Sequence, residues 1–307
     1  MSALQQPATE TADPRYAGLD TWRDEAILKA LFEGQKRGVD AVEAAIPALA
    51  RAARLIADRV HTGGRMAYLG AGSPALISLG DALELPQTYG VPRDRILLIF
   101  AGGEEITRNL TGFDEDDADL ARRDVAANRI GAKDVVIAVS ASGSTPYTVA
   151  GLTAARQAGA ATVGIAGNPG APLFGAADVP VLLESGPEVI SGSTRMGAGT
   201  AQKAALNMLS TLIGVHLGHV YDGLMVNLKA DNEKLRGRAA RIVARITGVA
   251  LDAANHALGQ TDGEVKPAIL IAAGAGSLDE AHGLLRAADG NVRSALGRIG
   301  GNASAGS

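Results

Sequence analysis

One stretch constrains the fold of this chain more than any other: residues 134–147, where β-branched residues give way to serines and glycine. The nearly continuous run of valine and isoleucine over residues 135–139 predicts a parallel strand buried on both faces. Gly143 allows a tight turn, and Thr145 followed by Pro146 is typical of a helix cap and a first-turn proline. The segment therefore predicts a strand, a turn and a helix in immediate succession.

The turn itself is rich in hydroxyl groups, from Ser140, Ser142, Ser144 and Thr145. Free amides at a helix start, together with the positive end of the helix dipole, favour a bound anion. Hydroxyl-rich caps are also common at ordinary helix starts. The turn is thus interpreted either as a phosphate site or as a capped turn without a ligand.

Strand and helix patterns alternate along the chain. We predict strands at Arg65–Leu69, Ile96–Phe100, Asp134–Val139, Ala161–Ile165 and Val179–Leu183, with helices between them. Such βαβ alternation predicts an α/β fold in which helices cover both faces of a mostly parallel sheet. We predict a flexible arm over residues 1–18, a sheet domain over 19–224 and a mainly helical C-terminal subdomain over 225–307.

A second glycine-rich turn, Gly70-Ala71-Gly72-Ser73-Pro74, follows the first predicted strand. Two such turns could face one ligand. The turn resembles half of a dinucleotide-binding fingerprint, but Ala75 stands where the third glycine is expected. A phosphate-binding or purely structural turn is the preferred interpretation.

Composition excludes several functions. The chain has 33 acidic and 29 basic residues, and this lack of a basic excess does not favour nucleic-acid binding. The chain has no cysteine, which rules out disulfides and thiol catalysis, and its five histidines form no convincing metal cluster. We find no uncharged apolar run of about 18 residues, so we expect no membrane segment and a cytoplasmic location.

The remaining chemical candidates are carboxylates and one arginine. Glu84 follows a predicted helix, and residues 114–117 form an acidic group at another helix start, where dipole-favoured capping is the simpler explanation. Arg195 lies beside Ser193 and Thr194 and suits oxyanion binding, although a surface arginine at a capped helix start is the simpler explanation. Leu83 and Leu85 predict that Glu84 is shielded from water.

The two turns, together with the segment GPEVISGSTRMGAGTAQK at residues 186–203, resemble the sugar isomerase (SIS) superfamily. Within it, the chain is similar to the N-acetylmuramic acid 6-phosphate etherase family from about residue 18 onward, including DALELPQTYGVP and DGNVRSAL. The glucokinase regulatory protein, a non-enzymatic sugar-phosphate binder, shares the Ser-Thr-Arg segment. The resemblance implies a three-layer SIS-type sheet with a small helical extension.

The resemblance also implies a reaction and its residues. Glu84 matches the family's proton donor and Glu115 its second acid-base glutamate, with Asp114 as a competing alignment. The implied reaction eliminates the lactyl ether of N-acetylmuramic acid 6-phosphate and adds water, giving N-acetylglucosamine 6-phosphate and D-lactate without metal or cofactor. The family likeness also implies a homodimer. The residues expected to contact the phosphorylated amino sugar are Ser73, Ser140, Ser142, Gly143, Ser144, Thr145, Glu188, Ser193, Thr194 and Arg195.

Two other functions on the same fold stay open from the sequence. An aldose-ketose phosphosugar isomerase would need a base, yet Tyr147 stands where many isomerase-type domains place a glutamate. A regulatory protein would retain the sugar site without turnover.

Overall fold

The structure is a computed structural model that describes residues 7–110, 112–228 and 233–302. Within them the chain forms helices and two sheets. The helices are α1 (Asp24–Asp40), α2 (Ile46–His61), α3 (Gly72–Tyr89), α4 (Ala118–Ala127), α5 (Pro146–Gln157), α6 (Gly197–His216), α7 (Glu233–Thr247), α8 (Leu251–Gln260), α9 (Val265–Ala272), α10 (Leu278–Ala287) and α11 (Val292–Asn302). The strands are β1 (Met66–Gly70), β2 (Ile96–Phe100), β3 (Val135–Val139), β4 (Ala161–Ala166), β5 (Val179–Leu182), β6 (Val220–Tyr221) and β7 (Leu224–Met225).

The main sheet has the order β2-β1-β3-β4-β5, and every pair in it is parallel. Strands β1, β3 and β4 are buried along their whole length, as their β-branched and small residues predict. Gly70 at the end of β1 is paired with both Phe100 of β2 and Val139 of β3. The chain therefore leaves β1 and β3 side by side, at the carboxyl edge of the sheet.

Alternate residues of β1 contact helices on opposite faces of the sheet, as the two-residue period of a strand requires. Leu69 packs against Gly151 of α5, and α4 packs on α5. On the other face the Tyr68 hydroxyl donates to Asp81 of α3, which also accepts from Asn207 of α6. The predicted three-layer arrangement of helix, sheet and helix is confirmed.

Contacts between residues divide the chain into two compact units, Met1–Leu83 with Asp94–Ser210 and Glu84–Arg93 with Thr211–Ser307. The first contains the five-stranded sheet. In the second, α9 is packed by α7, α8, α10 and α11, and residues 265–270 are all buried. The second unit starts earlier than the predicted C-terminal subdomain and includes a segment from the middle of the chain; the predicted domain limits stay a prediction.

Several predicted elements have different limits in the structure. The helix predicted to end near Leu83 continues through Pro86 to Tyr89, and the one predicted from Glu115 begins at Ala118, after a 3₁₀ turn at Gly112–Asp116. In the predicted C-terminal subdomain, residues 229–232 lie outside the described residues, and α7 begins at Glu233. In the part of the chain that the structure describes, no helix is both long and apolar enough to span a membrane.

The predicted flexible arm is corrected for the part that is described. Residues 1–6 lie outside the described residues, but residues 7–18 form short 3₁₀ turns at Ala8–Glu10 and Pro14–Tyr16. Thr9 is completely buried, and the Tyr16 hydroxyl accepts a hydrogen bond from Arg37 of α1 at 3.0 Å. This segment is packed onto the first unit because it supplies polar partners to buried groups there.

Candidate functional site

The site is built where the sheet order reverses. In the order β2-β1-β3-β4-β5, the crossovers that follow β1 and β3 run in opposite directions, and ligands of open α/β sheets bind outside the carboxyl ends of such strands. The glycine-rich turn after β1 leads into α3, and the serine-rich turn after β3 leads into α5. Two helix N-termini and their free amides thus start from neighbouring strands, a favourable place for an anion.

The serine-rich turn is held in shape by Gly143. Its φ angle is +75°, and a β-carbon at this position would lie only 2.8 Å from the Ala166 β-carbon and closer still to that of Ala171. The Gly143 amide donates to the Ser140 hydroxyl at 3.0 Å, and its carbonyl accepts from the Leu173 amide at 3.0 Å. Only glycine fits here, because the turn is both left-handed and tightly packed.

The hydroxyls of this turn have two different roles. Ser140 is 1% exposed, and its oxygen is engaged by Gly143 and by the Thr145 hydroxyl at 3.0 Å, so it shapes the turn from inside. Ser142 is half-buried and Ser144 is exposed, and the Ser144 hydroxyl donates to Ser142 at 3.0 Å. The contact of Ser140 with ligand stays a prediction, and Ser142, Ser144 and Thr145 are the more accessible hydroxyls of the turn.

The predicted side-chain cap at Thr145 is wrong. Thr145 is the N-cap residue of α5, but its hydroxyl makes no bond to the helix amides, since it is turned toward Ser140. The first amides of α5 therefore receive no bond from this side chain.

The N-terminal segment supports the serine-rich turn. The Asn168 side-chain amide, just after β4, donates to the Ser142 carbonyl at 3.1 Å and to the Thr9 hydroxyl at 3.2 Å. The backbone carbonyl of Glu10, the residue after Thr9, accepts a hydrogen bond from the Ser191 hydroxyl at 2.8 Å. The segment thus joins the serine-rich turn to the loop that carries the Ser-Thr-Arg motif.

The glycine-rich turn meets a carboxylate. Gly72, the first residue of α3, has a φ angle of +58°, and a β-carbon there would lie 2.7 Å from a Glu115 carboxylate oxygen. Glu115 is half-buried. Burial first, and the charge of Asp116 second, raise the pKa of Glu115 above its ordinary value. A carboxylate with a raised proton affinity therefore lies at the start of α3, beside the half-buried Ser73.

Asp114 and Asp117, in the same acidic group, have different surroundings from Glu115. The Asp114 carboxylate lies near Gly102, where a β-carbon would be 3.6 Å from one of its oxygens. Asp117 caps α4 by accepting from the Leu120 amide at 2.7 Å. The capping interpretation of the acidic group thus fits Asp117, whereas Glu115 is the carboxylate at the glycine-rich turn.

The Ser-Thr-Arg motif precedes α6, and Glu188 fixes the start of that helix. The Glu188 side chain is 3% exposed, and its two oxygens accept from the Gly197 amide at 2.9 Å and the Ala198 amide at 2.8 Å. Each carboxylate oxygen therefore accepts one hydrogen bond from a helix amide, and the substrate contact of Glu188 stays a prediction. Ser193 and Thr194 are half-buried and Arg195 is exposed, and their contacts with substrate stay a prediction.

Comparison with known proteins adds to this geometry. Residues 32–167 match the family model described as the SIS domain. A phosphoheptose isomerase from Francisella tularensis is similar, with 16% identity and a TM-score of 0.48 over 63% of this chain and 100% of that one.

Two curated relatives named N-acetylmuramic acid 6-phosphate etherase extend along almost the whole chain. The protein from Deinococcus radiodurans is 47% identical over 290 residues, which cover 94% of this chain and 95% of the relative. The one from Yersinia pestis is 42% identical over 288 residues, covering 94% and 98%. The chain belongs to the N-acetylmuramic acid 6-phosphate etherase family. The resemblance seen in the sequence is thereby confirmed.

The family's proton-donor position, Glu84, differs from the sequence prediction. It lies inside α3 and not past its end, and it belongs to the second unit, whereas the residues around the two turns belong to the first. Glu84 is exposed, and Leu83 is 57% exposed, while Leu85 is buried. The predicted shielding by both leucines is therefore wrong for the single chain.

Sequence reasoning missed a buried polar network on α3. Asp81 is 2% exposed and accepts from the Tyr68 hydroxyl at 2.9 Å, from the Asn207 amide at 2.8 Å and from the Ser210 hydroxyl at 3.0 Å. Burial raises the pKa of Asp81, although the three hydrogen bonds oppose this. The only signal in the sequence was one carboxylate in an otherwise apolar stretch.

Asn168 and Thr9 were missed as well. Asn168 follows a predicted strand in the motif Gly167-Asn168-Pro169-Gly170, a third turn at the same edge of the sheet, so its position could have been inferred. Thr9 carried no such signal. Among the residues that the structure describes, no group of three or more histidine, aspartate or glutamate side chains is placed to hold a metal ion.

Proposed function

We propose that this chain cleaves the D-lactyl ether of N-acetylmuramic acid 6-phosphate, giving N-acetylglucosamine 6-phosphate and D-lactate, in the recycling of cell-wall sugars. The observation that carries the proposal is the 47% identity to an etherase along nearly the entire length of both chains. The position of Glu115 at the glycine-rich turn supports it from the structure.

The phosphate group binds at the two turns in this proposal. The N-termini of α3 and α5 favour a dianion, and Ser73, Ser142, Ser144 and Thr145 supply reachable hydroxyls. Arg195, Ser193 and Thr194 contact the sugar from the loop before α6. Ser140 and Glu188 act indirectly, because they hold the turn and the helix start in place.

Glu115 is the base of the elimination. It takes the proton from carbon 2 of the opened sugar, next to the carbon 1 carbonyl, while the carbon–oxygen bond at carbon 3 breaks and D-lactate leaves. Water then adds at carbon 3, and carbon 2 regains a proton. A raised pKa strengthens a carboxylate as a base, so partial burial of Glu115 suits this role.

Glu84 is the acid that protonates the departing ether oxygen. Glu84 is exposed in the single chain, and closing an active site to water is a common requirement for acid catalysis at a leaving group. We therefore propose a homodimer in which a second copy covers this part of α3. Exposed apolar residues one and two turns apart on the same helices support an interface: Leu28 and Phe32 on α1, Leu76 and Leu83 on α3, and Met208 and Val215 on α6. A cytoplasmic location completes the proposal.

The experiment is a D-lactate assay. Purified protein is incubated with N-acetylmuramic acid 6-phosphate, and released D-lactate is measured with a coupled dehydrogenase. We expect turnover by the wild type and a loss of about 100-fold or more in Glu115→Gln and in Glu84→Gln. A protein that binds the phosphosugar without releasing D-lactate would instead be a regulatory member of the fold.

The homodimer is tested separately by sedimentation. A dimer at micromolar concentration is expected, and replacing Leu83 by Glu should shift it toward monomer and lower turnover. Full activity in a monomeric sample would contradict the shared-site proposal, whatever the outcome of the lactate assay.

A further inference from the structure

The second unit contains a cavity of about 650 Å³ that is lined by none of the residues assigned to the sugar-phosphate site. Its walls come from the segment around Gly90 and Arg93, from Asn227, from the turn at Asp262–Glu264 and from Lys266. A volume of this size lies in the range of small-molecule sites. The cavity is therefore large enough for a metabolite with several non-hydrogen atoms.

Lys266 is the notable residue in this wall. It is the second residue of α9, and it is only 8% exposed although its side chain carries an ammonium group. Its nitrogen donates one hydrogen bond, to the Gly290 carbonyl at 2.8 Å. Among the residues that the structure describes, no carboxylate lies within ion-pair distance of it. Two of its three donor positions thus have no protein partner there.

A buried ammonium without a counter-ion is costly, so such groups are usually paired. Burial lowers the pKa of Lys266 to about 8, which still leaves the group mostly charged at pH 7. The neighbouring imidazole of His219 adds no second positive charge, since burial and the Lys266 charge lower the pKa of His219 to about 3. The positive charge at the cavity wall therefore persists at neutral pH.

The charged groups at the rim are solvated. Arg93, Asp262 and Glu264 are exposed, and Glu264 is bonded to His282 at 3.2 Å. Exposed charges are screened by water and salt and contribute little to a buried partner. The positive end of α9 adds to the potential of Lys266.

We propose that this cavity is a second binding site, separate from the sugar-phosphate turns, for a small organic anion whose carboxylate or phosphate group pairs with Lys266. The proposal goes beyond the etherase reaction and depends on none of its residues. The anion would supply the charge and the acceptors that the described residues do not give to this ammonium.

The test follows the ε-methylene signal of Lys266 by NMR in protein with ¹³C-labelled lysine. The signal is assigned as the one lost in Lys266→Arg, with exposed Lys234→Arg, in the same unit, as the matched control. Sodium phosphate and sodium acetate are the two probes. A bound anion should shift the signal and raise its titration midpoint by about one pH unit, as pairing with an opposite charge does.

Each outcome decides something. A response to phosphate alone, to acetate alone or to both supports the site and identifies the group it takes. The response should persist in the double variant Ser142→Ala with Thr145→Val, which removes hydroxyls from the sugar-phosphate turn. Failure of the second site can therefore be told apart from failure of the proposed etherase reaction. A Lys266 signal that neither probe moves at tens of millimolar would overturn the proposal and leave Lys266 as a cap on the Gly290 carbonyl.

Discussion

Glu188 should be a stability residue, contrary to its predicted substrate contact. Its two hydrogen bonds to the amides of Gly197 and Ala198 have a charged acceptor, and such bonds contribute about 1.5 to 3 kcal/mol each. Glu188→Ala removes both and leaves two buried donors, so we expect a loss of about 3 to 5 kcal/mol in the free energy of unfolding. Glu188→Gln keeps one acceptor and should lose about half of that.

The assay is urea unfolding followed by the fluorescence of Trp22, the single tryptophan, which belongs to the first unit as Glu188 does. Glu184→Gln, at a nearby exposed position, is the matched control and should change stability by less than about 0.5 kcal/mol. The graded order of wild type, Gln and Ala is the signature of the helix cap. A Glu188→Gln protein that is as stable as the wild type but has lost phosphosugar affinity would refute it and restore the substrate contact.

Three further predictions test the supporting structure. Thr9→Val removes a hydrogen-bond partner of Asn168, so phosphosugar affinity measured by calorimetry should fall several-fold and the free energy of unfolding should fall by about 1 kcal/mol. Unchanged affinity would show that the N-terminal segment does not support the turn. Gly143→Ala should destabilise the fold by about 2 to 4 kcal/mol in thermal unfolding, through contact with Ala171 and a left-handed backbone. Because the folded pKa of Asp81 is raised, its contribution to stability is present below its unfolded pKa and is lost as pH rises through the folded pKa; Asp81→Asn should remove that pH dependence, and parallel stability curves for both proteins would contradict this.

The sheet could be predicted from the sequence because its strands are apolar, and because β1, β3 and β4 run directly into glycine or serine. The prediction for β2 has the same limits in the structure, and that for β3 differs by one residue. The neighbouring positions of the two turns, in contrast, depend on the strand order. That order is set by long-range pairing of Gly70 with Val139, for which a local pattern carries no information.

The error at Glu84 has a local cause. Glu84 was predicted to follow a helix, but α3 continues through Pro86 to Tyr89, so Leu83, Glu84 and Leu85 are consecutive helical residues. Consecutive residues on a helix lie about 100° apart, and flanking leucines therefore point in different directions and do not enclose the residue between them. Leu85 is in the core, and Leu83 is in solvent.

Other parts of the site had ambiguous signals. The acidic group offered Asp114 and Glu115 as alternatives, and only the fold places Glu115 against Gly72. The motif containing Glu188 predicted a ligand contact, yet the same residue also suits a helix cap.

The central claim is that Glu115 removes the proton at carbon 2 during ether cleavage, and one measurement tests it most directly. Wild type, Glu115→Gln and Asp114→Asn are each incubated with N-acetylmuramic acid 6-phosphate in heavy water, and deuterium at carbon 2 is followed by NMR together with D-lactate release. We predict exchange and D-lactate from wild type and from Asp114→Asn, and loss of both in Glu115→Gln by about 100-fold or more. Exchange that survives in Glu115→Gln but disappears in Asp114→Asn would contradict the account and assign the base to Asp114.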